Sequence, residues 1–271
     1  MLKGIRMKDG SVHGKRSRIR RRNVRVARAL EVEGKSVLDV GCGNGRYSLY
    51  LAEGAANVIG IDHHPGRVAT ANETREVLGF ENVEFIVGDI RDHGAFNAST
   101  PYDLIVAWGF LHRVTDPFTF IYDAARTADA LSLEFLGLNV AMEMGLNIAQ
   151  HPDNQDKKFD ATNLTRVDSE SFRKEFNQEL PFWNLSPSLV KTIGERVGFR
   201  YCSLLGFGED LEQAPSPEAT KDSIVKGLKA GRGVVFPTAR VHMVLAKAEV
   251  PVNWEVLHGE HTLAPWDASI W

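Results

Sequence analysis

The sequence predicts an α/β fold in which buried strands alternate with helices. The apolar run Val37–Val40 leads into a turn with glycine at every second position, and a helix-compatible run follows at once. Two further β-prone segments come next, and each ends in an acidic residue. The uninterrupted apolar run Leu104–Ala107 is typical of a strand that is buried on both faces of a parallel sheet. We therefore expect an open, doubly wound sheet with helices between its strands.

The turn after the first strand carries glycines at Gly41, Gly43 and Gly45. Glycine permits a tight turn and a close backbone approach, and the helix start behind it favours an anionic group, so the turn predicts a nucleotide-like ligand. A dinucleotide fingerprint would place its third glycine where Arg46 stands; counted from Gly43, the third position is Ser48. An NAD-dependent oxidoreductase is thereby disfavoured but stays open as an alternative.

Acidic residues end the second and third predicted strands. Asp62 closes the strand 56–62, and Asp89 closes the strand that starts at Val83. A carboxylate at the end of the second strand can accept hydrogen bonds from two ribose hydroxyls. Asp62 therefore supports a ribosyl cofactor without deciding which one. Asp89 is either a ligand contact at the same edge of the sheet or an ordinary turn residue.

These motifs together resemble the class I S-adenosylmethionine (SAM) dependent methyltransferases over residues 35 to about 135. The pattern Asp39-x-Gly41-x-Gly43-x-Gly45 is similar to the family's motif I, and the segment from Pro101 to Pro117 is similar to its motif IV. The resemblance implies a Rossmann-like, seven-stranded, mostly parallel sheet whose last strand is antiparallel, with helices on both faces. It also implies SAM as cofactor and S-adenosylhomocysteine (SAH) as product.

The resemblance further implies which residues contact the cofactor. Asp62 would bind the ribose, Asp89 would accept from the exocyclic amine of the adenine, and the backbone N–H of the next residue would face a ring nitrogen. From its place after the fourth strand, Trp108 is expected either to shape the adenine and methyl pocket or to belong to the core. The implied cofactor-binding set is Asp39, Gly41, Cys42, Gly43, Asp62, His63, Asp89, Ile90 and Trp108.

A narrower similarity points to the branch that contains tRNA wobble-uridine (carboxy)methyltransferases. It is carried by the segment Gly109–Pro117, by Glu134 inside a strand, and by the aromatic segment Phe182–Ser188 before a helix. This branch typically has Leu-Tyr-His where the present chain has Leu111-His112-Arg113. An RNA methyl- or carboxymethyltransferase is therefore kept as an alternative to an enzyme of small molecules.

The turn after the fourth strand holds the candidate catalytic residues. His112 titrates near neutrality when unperturbed and follows the strand toward whose end the methyl group should point, so we predict that it is the general base. Arg113 is predicted to position an anionic substrate. The alternatives are a histidine that hydrogen-bonds a neighbouring loop and a solvated arginine. We predict no metal site, because neither His63-His64 nor His258-x-x-His261 has a ligand set typical of zinc.

Composition and charge limit the possible partners. The 271 residues are 43% hydrophobic and 25% charged, which is typical of a globular protein, and two cysteines provide no disulfide framework. We expect a cytoplasmic protein with no membrane partner, because the sequence has no apolar run of about 18–20 residues. Residues 1–28 hold eleven Lys and Arg against one Asp, while the rest of the chain is acidic by 34 to 21. The stretch Arg16–Arg28 is expected to bind RNA, an anionic substrate, or the acidic body of the protein itself.

The predicted organisation has three parts. Residues 1–34 form a basic leader and helix, residues 35–250 form the methyltransferase domain, and residues 251–271 form a tail with three tryptophans. A lid or cap is predicted at 139–186, because a segment this long seldom lacks structure. The tail is expected to pack on the body or on a second subunit in a homodimer. The expected substrate is a small or mid-sized polar molecule, which is anionic if Arg113 and the leader bind it.

Overall fold

The computed structural model describes residues 18–90, 101–137, 164–167, 182–207, 239–253 and 256–257. These residues fall into two compact units. Among the described residues, the first unit holds those within 18–107, 127–129 and 249–257, and the second holds those within 108–126 and 130–248. Within the described residues, no helix is long and apolar enough to cross a membrane.

Helices and strands alternate over residues 18–87, as the sequence predicts, and two further helices lie between later strands. The helices are α1 (Arg18–Ala29), α2 (Arg46–Leu51), α3 (Pro65–Leu78), α4 (Pro117–Thr127) and α5 (Pro187–Arg196), and a single 3-10 turn spans Leu111–Arg113. The strands are β1 (Ser36–Val40), β2 (Asn57–Asp62), β3 (Val83–Val87), β4 (Tyr102–Trp108), β5 (Ala128–Gly137), β6 (Leu164–Val167), β7 (Phe182–Leu185), β8 (Tyr201–Phe207) and β9 (Ala239–Ala246).

The first unit is built on a parallel sheet with the strand order β3-β2-β1-β4. The register pairs Asp39 with Gly60 on one side and with Val106 on the other. Apolar side chains of β1, β2, β4 and α2 are almost completely buried, which explains the continuous apolar runs in the sequence. Helix α1 packs against α2, and the bridge between Leu30 and Val252 ties the end of α1 to a later segment of this unit.

The second unit contains the antiparallel part of the sheet. Strand β9 pairs antiparallel with both β5 and β8, so the expectation that the last strand is antiparallel is confirmed. Strand β7 runs parallel to β5 where Gly137 meets Leu185, and β6 pairs antiparallel with β7. The two short strands β6 and β7 are additional to the seven expected strands. Both lie in the segment that was predicted to form a lid.

Most element boundaries agree with the expectations, because they coincide with strong local signals. Helix α4 spans the predicted residues, and α3 ends at Gly79, whose left-handed conformation closes the last turn with bonds to the carbonyls of Arg75 and Glu76. The sequence also predicts helices at 140–149, 169–176 and 219–230, but these segments and the tryptophans of the tail lie outside the described residues. The domain boundaries, the lid, the homodimer and the cytoplasmic location stay predictions.

Close packing, in addition to conformation, requires a glycine at the end of the motif I turn. Gly45 has φ +73°, and a Cβ there would lie 2.7 Å from Cε1 of Phe85 and 2.8 Å from Cβ of Ala71. Gly79 has nearly the same φ, +71°, but among the described residues no atom lies within 4 Å of such a Cβ. The two positions therefore separate the cost of conformation from the cost of a clash.

We predict that Gly45→Ala lowers the free energy of unfolding by about 2–5 kcal/mol, because left-handed strain and overpacking add together. Gly79→Ala, the matched control, should cost only the strain of about 1–2 kcal/mol. Urea unfolding of both variants measures the two losses. Equal losses would contradict the close contact of Gly45 with Phe85.

Candidate active site

The turn that follows β1 is held against the end of β2 by backbone hydrogen bonds. Gly41, Gly43 and Gly45 have φ values of 70°, 57° and 73°, a region that few other residues adopt. The N–H groups of Gly41 and Cys42 both donate to the carbonyl of Ile61, at 2.8 and 3.0 Å. The turn therefore runs along the carboxyl edge of the parallel sheet, where open α/β folds bind ligands.

The carboxylate of Asp62 fixes this turn from the end of β2. Its Oδ2 accepts from the N–H of Gly43 at 2.9 Å, and its Oδ1 accepts from the N–H of His64 at 2.9 Å. The carboxylate is 4% exposed, and the guanidinium of Arg67 lies 3.9 Å away. Because each carboxylate oxygen has two lone pairs, Asp62 retains the capacity to accept from further donors such as ribose hydroxyls.

Asp39 lies beneath the turn as a buried acid. Oγ of Ser48 donates to its Oδ2 at 2.5 Å, and the residue is 3% exposed. Burial raises the pKa of Asp39 to about 6; the hydrogen bond from Ser48 opposes that rise, and the charge of Asp62 adds to it. Near neutral pH, Asp39 is therefore an ionised buried group whose charge is unfavourable for the folded state.

We predict that Asp39→Asn removes a pH-dependent loss of stability. The folded pKa is above the unfolded value of 3.8, so in the wild type the stabilising effect of the proton is present at low pH and is lost as the pH rises through about 6. Asn keeps an oxygen that can accept from Ser48. The free energy of unfolding of the variant relative to the wild type should therefore increase from pH 4 to pH 7.5, by at most about 3 kcal/mol.

Asp103→Asn is a control of opposite sign for this pH series. Hydrogen bonds from the N–H and Oγ of Ser36 lower the pKa of Asp103, an exposed residue of β4. The stability that the ionised Asp103 contributes is therefore lost as the pH falls. The free energy of unfolding of Asp103→Asn should be below that of the wild type near neutral pH and should approach it in acid. Urea unfolding across the pH range distinguishes the two cases. A difference between Asp39→Asn and wild type that is independent of pH would contradict the assignment.

The remaining predicted cofactor residues of the first unit lie around the same turn. Cys42 is buried, and burial raises the pKa of its thiol, so the residue is a packed thiol rather than a reactive one. His63 is 64% exposed, with Nδ1 at 3.6 Å from Oδ1 of Asp62. Asp89 is half-buried and Ile90 is buried, directly after β3, and the N–H of Gly88 donates to the carbonyl of Asp62.

A fully buried histidine and a half-buried arginine follow β4 in the second unit. His112 is 0% exposed within the 3-10 turn, and Nε of Arg113 donates to its Nε2 at 3.4 Å. Burial, and then the charges of Arg113 and Arg240, hold the pKa of His112 well below its usual range. His112 is therefore neutral at physiological pH, which is the form that can accept a proton.

Trp108, at the end of β4, belongs to the second unit. Its Nε1 donates to Oγ of Ser132 at 3.0 Å, and its ring stands edge-on to the ring of His242, with a centroid separation of 6.3 Å. The indole is buried, and its polar edge is satisfied by a strand residue. The predicted contact of Trp108 with the cofactor stays a prediction.

A buried ion pair next to these residues was not predicted as part of the site. Oε1 of Glu134 accepts from Nη1 of Arg240 at 2.7 Å, and the side chains are 2% and 23% exposed. The sequence signal was present, because Glu134 stands within an otherwise apolar strand and Arg240 and His242 occupy one face of β9 at a spacing of two. Their partnership across distant segments could not be read from the chain.

The structure thus divides the predicted site residues between the two units. The first unit brings together the predicted cofactor contacts other than Trp108, and the second unit brings together Trp108, His112 and Arg113. Among the described residues, no group of three or more His, Cys, Asp and Glu side chains is arranged to hold a metal ion. The catalytic and cofactor roles of the individual residues stay predictions.

The residues of the first unit fit an adenosyl ligand. A Cβ placed on Gly43 would meet no atom of the described residues within 4 Å, so the middle of the turn leaves open space beside the backbone. Asp62 lies at the same turn with an oriented carboxylate. An open glycine next to a fixed acid is the arrangement that a ribose-bearing ligand requires.

Comparison with solved structures establishes the fold class first. The N-terminal domain of EvdMO1, solved with SAH and D-fucose, superposes with a TM-score of 0.60 at 18% identity and covers 90% of both chains. Magnesium protoporphyrin IX methyltransferase from Synechocystis PCC 6803, solved with SAH, gives a TM-score of 0.50 at 17% identity and covers 86% of this chain and 89% of its own. The chain therefore has the α/β Rossmann-like fold of the class I methyltransferases, as predicted.

Sequence comparison then identifies the domain. Residues 31–133 match the family described as "Methyltransferase domain". The ubiquinone biosynthesis O-methyltransferase of Vibrio campbellii is 35% identical over 111 residues, which are 39% of this chain and 44% of that protein. A 23S rRNA (uracil(1939)-C(5))-methyltransferase of Shewanella sp. is 41% identical over 69 residues, which are 24% of this chain and 15% of that protein.

Residues 31–133 therefore match a methyltransferase domain, and the chain has the fold of the class I methyltransferases, a class whose cofactor is SAM. The resemblance to the class I SAM-dependent methyltransferases that the sequence analysis describes is thereby confirmed. These relatives are methyltransferases, so the NAD-dependent oxidoreductase gains no support. The chain spans less than half the length of the curated relatives it matches, so their substrates do not transfer directly.

Proposed function

We propose that the protein transfers the methyl group of SAM to an oxygen or nitrogen atom of a small or mid-sized polar substrate. The observation that carries the proposal is the turn fixed by Asp62, which leaves open space beside Gly43 at the carboxyl edge of the sheet. The partial match to ubiquinone biosynthesis O-methyltransferases favours an oxygen acceptor. SAM supplies a methyl group that is activated by its sulfonium.

The first unit would hold the cofactor through its turn and its acidic strand ends. Asp62 would accept from the ribose hydroxyls while its contacts to Gly43 and His64 keep its carboxylate oriented. Asp89 and Ile90, at the end of β3, would bind the adenine. Such positioning supports an in-line displacement, for which alignment alone can contribute about 7–11 kcal/mol.

His112 would act as the general base. The neutral imidazole of His112 would take the proton that an acceptor hydroxyl loses as its oxygen bonds to the methyl carbon. Two features bear on this role: the depressed pKa of His112 keeps the accepting form populated while lowering its basicity, and the adjacent guanidinium of Arg113 can orient an anionic substrate. Because His112 is fully buried, the proposal requires the acceptor to reach into the turn after β4.

We predict that His112→Ala and His112→Gln lower kcat by about 10²–10⁴-fold, the usual contribution of a general base, while the affinity for SAH changes little. Initial rates with labelled SAM and calorimetry with SAH measure the two effects. Thermal unfolding of each variant serves as the folding control. Equal losses of turnover and of SAH affinity would contradict the role of base.

The pH profile provides a second check on His112. Because its pKa is depressed, His112 stays neutral as the pH falls past 6.5, the ordinary value for histidine. The turnover number of the wild type should therefore not fall near pH 6.5. A fall near pH 6.5 that is absent from His112→Gln would contradict the depressed pKa.

Two measurements test the proposed function itself. Calorimetry should show binding of SAH and none of NAD, and labelled SAM should transfer its methyl group to a component of a cell extract. Separating the labelled product by size, and treating the extract with ribonuclease, distinguishes a small molecule from RNA. Binding of SAH without any turnover would indicate a non-catalytic partner subunit and contradict the proposal.

RNA is the second candidate substrate, because residues 1–28 carry a net charge of +10 and short matches to RNA methyltransferases occur. The described part of α1 supports docking on the protein itself instead. Val26, Ala27 and Leu30 are buried, and the guanidinium of Arg28 lies 5.4 Å from the ring centroid of Tyr50. The apolar face of α1 is thus buried by packing within the first unit.

We predict that affinity for tRNA is weak, and that any binding comes from the basic leader. If the leader follows phosphates, affinity should fall steeply between 50 and 200 mM salt, and the triple change Arg20→Gln, Arg21→Gln, Arg22→Gln should flatten that dependence. Filter binding of labelled tRNA measures both. Tight binding that the triple change leaves unaltered would contradict a leader-based RNA site.

A further inference from the structure

The two faces of the β5–β9 pair differ in character. One face carries Leu131, Leu133 and Phe135 of β5 opposite Leu245, Met243 and Val241 of β9, all of which are buried and apolar. The other face carries Ser132 and Glu134, and Glu134 lies directly opposite His242. Both Glu134 and His242 are almost completely buried. Burying such groups costs free energy that an apolar face would not, so the polar face requires an explanation.

Glu134 binds one end of Arg240, and among the described residues this is the hydrogen bond found for the guanidinium. Its Oε1 accepts from Nη1 at 2.7 Å, and the side chain of Arg240 is 23% exposed while that of Glu134 is 2% exposed. A guanidinium carries five N–H donors in a rigid fork, and this contact uses one of them. Arg240 is thus held by a buried carboxylate, while part of its own side chain is exposed.

The residue that faces the ion pair is a glycine. The N–H of Gly109 donates to the carbonyl of Glu134 at 2.8 Å. A Cβ at Gly109 would lie 3.4 Å from Oε2 of Glu134 and 3.8 Å from Nη1 of Arg240. Gly109 therefore lies beside the ion pair, at a distance where a Cβ would be in van der Waals contact with both side chains. Gly109 is two residues before the turn that holds His112.

The charged side chains described here sum to one positive charge. Nε of Arg113 donates to Nε2 of His112 at 3.4 Å, and Arg240 pairs with Glu134 at 2.7 Å. With His112 neutral, these four residues carry a net charge of +1. A single positive charge matches a monoanionic carboxylate, which a guanidinium binds with directional, charge-assisted hydrogen bonds.

We propose that Arg240, positioned by Glu134 and partly exposed, binds a carboxylate group of the methyl acceptor. The assignment rests on the proposed function, since it concerns the substrate of the same domain. It restricts the substrate to molecules that bear a carboxylate in addition to the accepting atom. Arg240 is the carboxylate-binding residue, and Glu134 is a positioning residue.

Benzoate and its neutral isostere benzamide test this assignment by binding alone. Calorimetry with each compound, on the protein alone and on the protein saturated with SAH, gives the preference for the carboxylate. We expect benzoate to bind at least about ten-fold more tightly than benzamide, with and without SAH. In Arg240→Gln the two affinities should agree within about two-fold. Arg196→Gln, which changes an exposed arginine of α5 in the same unit, should keep the preference.

The double variant Glu134→Gln, Arg240→Gln is required because Arg240→Gln alone leaves a buried carboxylate without its cation. It removes both charges together and should also lose the preference for benzoate. If either folded variant keeps the preference, Glu134 and Arg240 are a structural ion pair only, and the assignment is overturned. The absence of any preference in the wild type overturns it as well.

SAH separates the substrate from the cofactor as the source of the carboxylate. If saturation with SAH abolishes the preference for benzoate, the carboxylate of the cofactor occupies the position and the assignment is overturned. If SAH does not bind at all, the proposed function fails, while the benzoate preference of the protein alone still decides the assignment of Arg240.

Discussion

The hydrogen bonds of the Asp62 carboxylate are the constraint on which the conformation of the glycine turn after β1 depends. One oxygen holds the N–H of Gly43 and the other holds the N–H of His64, so a single side chain fixes both the turn after β1 and the start of α3. Without these contacts the glycine turn would have many conformations and would lose more entropy on binding a ligand. If the open space beside Gly43 receives the cofactor, as proposed, the surrounding backbone is already in place for it.

The fold was predictable where local sequence and tertiary packing agree. The continuous apolar runs of β1 and β4, the glycine after α3 and the proline that begins α4 each determine a boundary locally. Strands β6 and β7 were missed, because they are short and depend on each other and on β5 for their hydrogen bonds. The apolar contact of α1 with α2 was hidden by the density of arginines in its sequence.

The candidate site was predictable only to the extent that it follows from strand ends. Asp62 and the glycines could be located because every ligand of this class needs them at that edge of the sheet. The pair of Glu134 and Arg240 spans more than one hundred residues of sequence, and no periodicity connects the two. The burial of His112 was equally invisible, because the sequence places it in a turn, and turns usually lie on the surface.

Phe85 has a consequence for how this chain can change over time. Its ring occupies the space of two missing Cβ atoms, because a Cβ on Gly45 or on Gly60 would lie within 2.7 Å of Cε1 of that ring. The aromatic ring and the two glycines are therefore one steric unit distributed over three strand–turn segments. A smaller residue at 85 would leave a void beneath the glycine turn. A residue larger than glycine at 60 would be tolerated only if residue 85 became smaller at the same time. Among relatives, these three positions should co-vary as a set.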